Sequence, residues 1–140
     1  MGLDMYLNAR RHLWTATDDV VNNLSNQFPE LGEGKIKQLT AEVGYWRKAN
    51  AIHQWFVQNV QSGEDNCQSY YVSREDLEEL RNICKQVLTD RSQADTLLPS
   101  ASGFFFGSTD YDEWYFSDLE GTVELINRLL DDDTYKCYGF

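Results

Sequence analysis

Two aromatic-rich stretches carry the side chains whose types and spacing could bind a ligand or perform chemistry. In the first, residues 42–60 (EVGYWRKANAIHQWFVQNV), an Arg-Lys pair follows a tryptophan and stands shortly before a histidine. The candidate binding residues are Trp46, Arg47, Asn50 and His53. Guanidinium and imidazole groups beside an indole could hold an anion that carries a stackable ring, such as a nucleotide. The alternative is a helix with a solvated basic edge and a buried tryptophan.

His53 could instead act as the general base of a small enzyme. That role needs a carboxylate to orient the imidazole and a cavity for the substrate. The candidate carboxylates are Glu42, Asp110 and Asp112. The alternative is a histidine at the edge of the core, bonded to a carbonyl or another side chain. Because the chain contains no P-loop, GxGxxG, GxSxG or HExxH motif, the sequence favours a protein that is not an enzyme and has no cofactor.

The second stretch, residues 103–116 (GFFFGSTDYDEWYF), alternates acids with aromatic rings at Asp110, Tyr111, Asp112 and Trp114. Aromatic anchors rimmed by charge are typical of the energetic centres of protein interfaces. A plain helix N-terminus, with acids at the dipole and aromatics in the core, is the alternative. The Asp-x-Asp pair does not continue as a calcium loop, because aromatic residues stand at the third ligand and at the invariant glycine. No metal site is predicted.

The charge of the chain limits its partners. The 140 residues carry a net charge of -11, which argues against direct binding to nucleic-acid phosphates and to anionic membranes. A partner protein with a basic surface fits better, although acidity of this kind also simply keeps a protein soluble. Three cysteines without a CxxC pair predict neither a disulfide framework nor a zinc site, and they suit the cytoplasm. The sequence shows no signal peptide and no apolar run of transmembrane length.

Hydrophobic periodicity predicts the elements that position these side chains. Apolar residues alternate with polar ones from Leu3 to Arg11, which predicts a half-buried strand. Residues 42–60 fit one long, mostly buried helix at the centre of the fold. On that helix one row would contain Trp46, Asn50, His53 and Val57.

Further signals complete the set of elements. Ser73 and Asp76 form a capping box at the start of another helix, and Asp110 or Asp112 would cap a long third helix. Short strands are predicted at residues 70–72 and 104–106, and a last strand at residues 135–140 could pair with the N-terminal strand.

The sum is an α+β fold that forms one domain over residues 1–140. Three main helices pack on a small antiparallel sheet that includes the N- and C-terminal strands. The predicted core contains Ile52, Phe56, Leu77, Leu80, Val87, Phe116, Leu119, Val123 and Ile126. Residues 103–115 are expected to pack beside the part of the central helix that runs from Trp46 to His53, since their acids would attract its cations.

Three blocks of the sequence, MGLDMYL, EVGYWRKANAIHQWFV and GFFFGSTDYDEWYF, occur in this order. Together they resemble a family of short proteins encoded by bacteriophages and prophages. The family has no established activity, so the resemblance transfers no functional residues. It implies a protein made in the cytoplasm of an infected bacterium, where small phage proteins often modify host takeover or block host defence.

Three functional hypotheses follow. The first is a phage accessory protein that acts by binding a host protein, a component of antiviral defence being one candidate, through its acidic and aromatic surface. The second is a binder of a small, anionic, nucleotide-like ligand through Trp46, Arg47, Asn50 and His53. The third is a small enzyme that uses His53 with a carboxylate. Self-association into a homo-oligomer stays open.

Overall fold

The computed structural model describes residues 3–13, 18–32, 34–102, 109–131 and 137–140. Their strands are β1 (Asp4–His12), β2 (Gln38–Arg47), β3 (Tyr71–Val72) and β4 (Cys137–Gly139). Their helices are α1 (Asp18–Asn26), α2 (Asn50–Asn59), α3 (Arg74–Thr89), α4 (Ala94–Leu97) and α5 (Glu113–Asp131), with 3-10 turns at Pro29–Leu31 and Arg91–Gln93. The strands form one antiparallel sheet in the order β2-β1-β4-β3. The predicted α+β class and the pairing of the N- and C-terminal strands are therefore confirmed.

The β1–β2 pair is the longest pair of strands in the sheet, and its two faces differ. It runs from Asp4 opposite Arg47 to His12 opposite Gln38, with one irregularity in the register at Leu7/Asn8. Alternate residues of β1 (Met5, Leu7 and Ala9) are 5% exposed or less and belong to the core. Because side chains alternate across a strand, the residues between them lie on the opposite face of the sheet. The predicted N-terminal strand is confirmed with its limits shifted by one residue.

The prediction of a single helix over residues 42–60 is wrong. Residues up to Arg47 continue β2, and α2 begins only at Asn50. Between them Lys48 has a φ of 57°, a left-handed conformation that breaks both strand and helix. The aromatic residues of this segment fit both the helical and the extended period, and pairing with β1 along its whole length favours the strand. The predicted row from Trp46 to Val57 therefore does not exist as one helical face.

The remaining helix predictions agree with the structure. At the start of α3 the Asp76 amide donates to Ser73 Oγ (3.0 Å) and the Ser73 amide donates to Asp76 Oδ2 (3.1 Å), which completes the predicted capping box. Eight of the nine predicted core residues are buried, and Val123 is partly buried against the same core. The described part of the chain contains five helices: the three predicted main ones, the short helix α1, which the sequence also predicts around Val20, Val21 and Leu24, and the single turn α4. The strand predicted at residues 104–106 lies outside the described residues.

Two contacts bring α5 against β2 and so fix the position of the site. A Cβ added at Gly44 would lie 2.6 Å from Leu125 Cδ2 and 3.2 Å from Leu7 Cβ, so the two elements approach closely because residue 44 is glycine. One step further along β2, Trp46 Nε1 donates a hydrogen bond to Thr122 Oγ1 (2.9 Å) in the core. The end of β2, and with it the start of α2, is therefore held beside the first half of α5.

Candidate ligand cavity between α2 and α5

A cavity of about 260 Å³ opens where the start of α2 meets the first half of α5. Its lining comes from two continuous pieces of chain that the sequence separates widely. The first piece contributes Arg47, Lys48, Ala49, Asn50, Ala51 and Ile52, and the second contributes Asp110, Asp112, Trp114, Tyr115, Asp118 and Leu119. Five of the eight residues proposed from the sequence as binding residues are among them, namely Arg47, Asn50, Asp110, Asp112 and Trp114.

The α2 wall of the cavity is electropositive. Arg47 and Lys48 directly precede the helix, and Ala49 occupies its N-cap position without offering a side-chain hydrogen bond to the first turn. The first amides of a helix have no partner within the helix, and they lie at the positive end of its dipole. Two cations next to a helix N-terminus that lacks a side-chain cap make an arrangement suited to an anion.

Asn50 is held in place at this wall. It is the first residue of α2, only 5% of it is exposed, and its Oδ1 accepts a hydrogen bond from the Ala101 amide (3.3 Å). The residue therefore ties the loop that follows α4 to the beginning of α2.

The α5 wall is acidic. Asp112 Oδ1 accepts a hydrogen bond from the Tyr115 amide (3.1 Å), so Asp112 is the N-cap of α5, as one of the two predicted alternatives had it. Asp118 lies farther along the helix, and burial, assisted by the negative charge of Asp112, raises the pKa of its carboxyl from 3.8 to about 6. Such a carboxyl changes charge near neutral pH and favours a partner that donates a hydrogen bond to it.

Two aromatic side chains shape the opening and the interior of the cavity. Trp114 is 81% exposed although it lines the cavity, which places the indole at the rim. Tyr115 is buried, and its hydroxyl donates to the Leu98 carbonyl (2.6 Å). Burial raises the pKa of Tyr115 far above its usual range, so this hydroxyl remains protonated and structural. Trp114 alone of the two presents an accessible ring face to a ligand.

The other three residues proposed from the sequence lie elsewhere. Trp46 is buried between Phe56 and Phe140, with ring centroids 6.0 and 6.1 Å away. The Tyr111 hydroxyl donates to Asp95 Oδ1 (3.0 Å) and accepts from the Ser100 amide (3.2 Å). The Trp46 side chain thus packs against other rings near the cavity, and the Tyr111 side chain holds neighbouring segments together through its hydrogen bonds.

His53 is buried within α2, where its Nε2 lies 3.5 Å from Asp65 Oδ1. The predicted carboxylate partners Glu42, Asp110 and Asp112 are replaced by Asp65, from the turn that follows α2. Burial lowers the pKa of His53, and the nearby Asp65 carboxylate partly opposes that effect. The imidazole is a buried side chain of the α2 helix and is not part of the cavity lining.

Seven of the twelve lining residues were not proposed from the sequence, and Asp118 and Ala49 are the two of these on which the interpretation of the cavity depends. Asp118 follows Trp114 by four positions, which places both on the same face of a helix, and this spacing was the available signal. The importance of Ala49 had no signal, because residues 42–60 were predicted to be one helix without an end at that point.

Within the described ranges, no group of three or more histidine, cysteine, aspartate or glutamate side chains is arranged to hold a metal ion. The helices of the same ranges are all too short or too polar to cross a bilayer. Comparisons of the chain with protein-family models, with curated proteins and with solved structures found no match.

Proposed function

We propose that this protein acts by binding rather than by catalysis, and that the cavity between α2 and α5 takes a small anionic ligand with a planar ring, of the nucleotide type. The observation that carries the proposal is the beginning of α2. An N-terminus without a side-chain cap, preceded by Arg47 and Lys48, faces an exposed indole across a cavity of about 260 Å³.

The two walls and the rim fit different parts of such a ligand. A phosphate would accept hydrogen bonds from the first turn of α2 and from Arg47. A base could stack on Trp114, an interaction worth roughly 1–3 kcal/mol per base. Exocyclic N–H groups of the base could donate to the carboxylate of Asp118 or Asp110. The volume lies just below the roughly 300–1,000 Å³ of pockets for drug-sized ligands, which favours one nucleotide over a larger molecule.

The position of His53 weighs against catalysis. A general base must reach the proton that it abstracts, directly or through one water molecule. His53 is buried beside Asp65, and the cavity lining contains no histidine among the described residues. The carboxyl of Asp118 has a raised pKa, but the cavity lining that the structure describes contains no serine, threonine or cysteine that this carboxyl could activate.

A second candidate function is binding to a host protein with a basic surface. Trp114 favours it, because an indole that is 81% exposed at the edge of a cavity is a typical anchor of an interface. A lysine or arginine of the partner could lie on the indole ring and reach Asp110. The resemblance to phage proteins adds the setting, the cytoplasm of an infected bacterium, and an antiviral-defence protein as one type of target.

Titration calorimetry with a panel of nucleoside monophosphates, cyclic nucleotides and inorganic phosphate tests the main proposal. We expect Arg47→Gln to weaken nucleotide binding roughly 10- to 150-fold, the equivalent of a lost hydrogen bond to a charged group. Trp114→Ala should weaken nucleotide binding and leave phosphate binding nearly unchanged, because only the ring contact is lost. Lys85→Gln, which removes an exposed charge from α3, is the matched control and should behave as the wild type.

Nucleotide binding that is unaffected by both Arg47→Gln and Trp114→Ala would contradict the proposal. If the protein binds no member of the panel but captures a basic host protein in a manner that Trp114→Ala abolishes, the second candidate is the correct one.

A further inference from the structure

The chain between β1 and β2, together with the first half of β2, adds little to the interior of the molecule. Within residues 19–32 and 34–43 no residue is buried. Val20, Phe28 and Leu31 are 41%, 44% and 45% exposed, and none of the three belongs to the core cluster. Single exposed apolar residues are ordinary, but a run of this length without a buried residue indicates a surface that another molecule covers. A stable interface takes about 20–30 residues from each partner, which these ranges can supply.

β2 is an edge of the sheet. In the described part of the chain its neighbour is β1 alone, since the order of the strands is β2-β1-β4-β3. The Leu13 amide donates to the Lys37 carbonyl (2.8 Å), one step beyond the pair of His12 and Gln38. Pairs that exchange hydrogen bonds alternate along an antiparallel ladder with pairs that do not. It follows that residues 39 and 41 bond β1, whereas the backbone N–H and C=O groups of residues 38, 40 and 42 point to the free edge.

The irregularity in the register limits the length of this edge. Asn8 pairs with Glu42, and the preceding residue of β1, Leu7, pairs with Gly44. Val43 is therefore an extra residue in β2, and such a residue bends a strand and interrupts its ladder. The regular part of the free edge is residues 38–42.

We propose that two copies of this chain pair through this edge. Residues 38–42 of one copy run antiparallel to residues 38–42 of the other, and the two-fold axis passes between Thr40 and the partner's Thr40. An open edge selects an extended strand, because only an extended backbone meets its N–H and C=O groups in register. The two sheets then form one continuous sheet across the axis.

The side chains of this edge complement themselves in that register. Gln38, Thr40 and Glu42 are exposed, and Gln38 Nε2 donates to Thr40 Oγ1 (3.2 Å) on their shared face. Pairing about Thr40 places each Gln38 opposite the partner's Glu42, so that an amide can donate to a carboxylate on both sides of the axis. On the inner face the half-buried Leu39 meets the partner's Ala41. Threonine pairs and apolar pairs directly opposite each other stabilise a sheet.

The charges beyond the paired residues also favour a second copy as the occupant. The connection between β1 and β2, residues 13–37, contains four Asp and Glu and two Lys, a net charge of -2, whereas β2 ends at Arg47, which Lys48 follows. Antiparallel pairing directs the Arg47 end of each strand toward the acidic connection of the partner. Opposite charges therefore meet at both ends of the interface, whereas a uniformly basic or acidic partner would meet a like charge at one end.

This inference is independent of the ligand proposed for the cavity, because residues 38–42 do not line it. The pairing can be measured with the protein alone.

Sedimentation velocity of the full chain, from micromolar to millimolar concentration, tests the proposal. We expect a wild-type species of twice the 16.3 kDa of one chain, which dissociates on dilution. Thr40→Pro should be monomeric throughout, because proline removes the N–H at the centre of the interface. The monomer tolerates proline there, since that N–H points away from β1. Thr40→Val, which keeps the N–H and the branched side chain, is the matched control and should still form the dimer.

Charge exchange at the flanking positions tests the register. Gln38→Glu should raise the Kd of the dimer roughly 2- to 30-fold, because two like-charge pairs with the partner's Glu42 form across the axis. Gln38→Lys should lower the Kd by a similar factor. Adding Glu42→Lys to Gln38→Glu should restore the dimer, since opposite charges again lie across the axis.

Amide hydrogen exchange, measured residue by residue, locates the contact. The amides of Leu39 and Ala41 bond β1, so they should be protected at every concentration. The amides of Gln38, Thr40 and Glu42 should be protected only where the dimer is populated, because their acceptors belong to the second copy.

A wild type that stays monomeric at every concentration overturns the proposal, whether or not it captures another protein. A folded Thr40→Pro variant that still dimerises overturns it as well. So does a dimer in which the amides of residues 38, 40 and 42 remain unprotected, because the interface then lies elsewhere on the chain. If Thr40→Pro does not fold, the Gln38 variants decide, since they change only an exposed side chain.

Discussion

The cavity lies between two helix N-termini, of which one is capped by a side chain and the other is not. At α5 the Asp112 side chain accepts the Tyr115 amide and brings a negative charge to the positive end of the helix. At α2 the N-cap residue is Ala49, which has no group to offer, and the charges that precede it are the cations Arg47 and Lys48. Both helices face the same space. At α2 the Asn50 amide donates to the Lys48 carbonyl (2.9 Å), and no side chain caps the rest of the first turn.

The side-chain caps contribute to the stability of the fold, whereas the uncapped end of α2 is the part that can bind a ligand. At α3 the helix is capped by the reciprocal hydrogen bonds of Ser73 and Asp76, and at α5 it is capped by the Asp112 side chain. Such a cap stabilises the helix by about 1 kcal/mol and occupies amides that an anion would otherwise bind. The start of α2 has no such cap and does not gain this stability. Three variants examine this comparison, in order of their expected effect on the free energy of unfolding.

Asp112→Ala should remove the cap of α5 and lower the free energy of unfolding by about 0.5–2 kcal/mol. Urea denaturation at neutral pH measures the change. Asp112→Asn is the matched control, because asparagine caps a helix about as well but carries no charge. If Asp112→Ala is as stable as the wild type, Asp112 does not cap α5 in solution and the two helix ends do not differ.

Asp118→Asn should flatten the dependence of stability on pH. In the folded protein the pKa of Asp118 is raised from 3.8 to about 6, so the folded state binds the proton more tightly than the unfolded state. The contribution is fully present below pH 3.8 and is lost as the pH rises through 6. The full loss is on the order of 1 kcal/mol, because solvent screens a partly exposed carboxyl.

Denaturant melts between pH 4 and 7 should therefore show a decline for the wild type that Asp118→Asn lacks. Asp112→Asn should reduce the same decline, since the Asp112 charge is the second cause of the raised pKa. Equal pH profiles for all three proteins would refute the like-charge interaction on the α5 wall.

Ala49→Asp should convert the α2 end to the type found at α5. A carboxylate at this position can accept from the first turn, but Ala49 is buried and the desolvation of the new charge offsets the gain, so we expect a rise of no more than about 0.5 kcal/mol in stability. The larger effect is on binding, because the new charge occupies the place proposed for the phosphate. Calorimetry should detect no phosphate or nucleotide binding by this variant. Ala49→Gly, with neither charge nor side chain, should retain it.

The fold could be predicted from the sequence wherever one local signal was sufficient. Ser73 and Asp76 define the start of α3 through their spacing alone, and the alternation from Leu3 onwards defines β1. The segment that ends at Arg47 could not be assigned in this way. Its aromatic residues satisfy a helical as well as an extended period, and its strand conformation depends on pairing with β1 along its full length.

Only part of the site could be predicted, because residue types are visible in the sequence whereas contacts between distant elements are not. Arg47 and Asp110 were selected by residue type, which does not depend on the element that carries them. Asp118 was missed because its raised pKa results from burial between elements that the sequence separates. His53 was given the wrong carboxylates because the turn after α2, which supplies Asp65, returns toward the helix in a way that only the folded chain shows.

The place of β4 in the sheet has a consequence for the order of folding. β4 has three residues, and it pairs with β1 on one side and with β3 on the other. Asn8 meets Gly139 in the first of these pairs, so the contact closes a loop that spans almost the whole described chain. Local contacts form early and distant ones late, because loop closure costs entropy before the contact repays it. The β1–β2 pair and the α3–α5 pair can therefore assemble first, and the insertion of β4 then completes the sheet, because among the described residues β3 joins the sheet through β4.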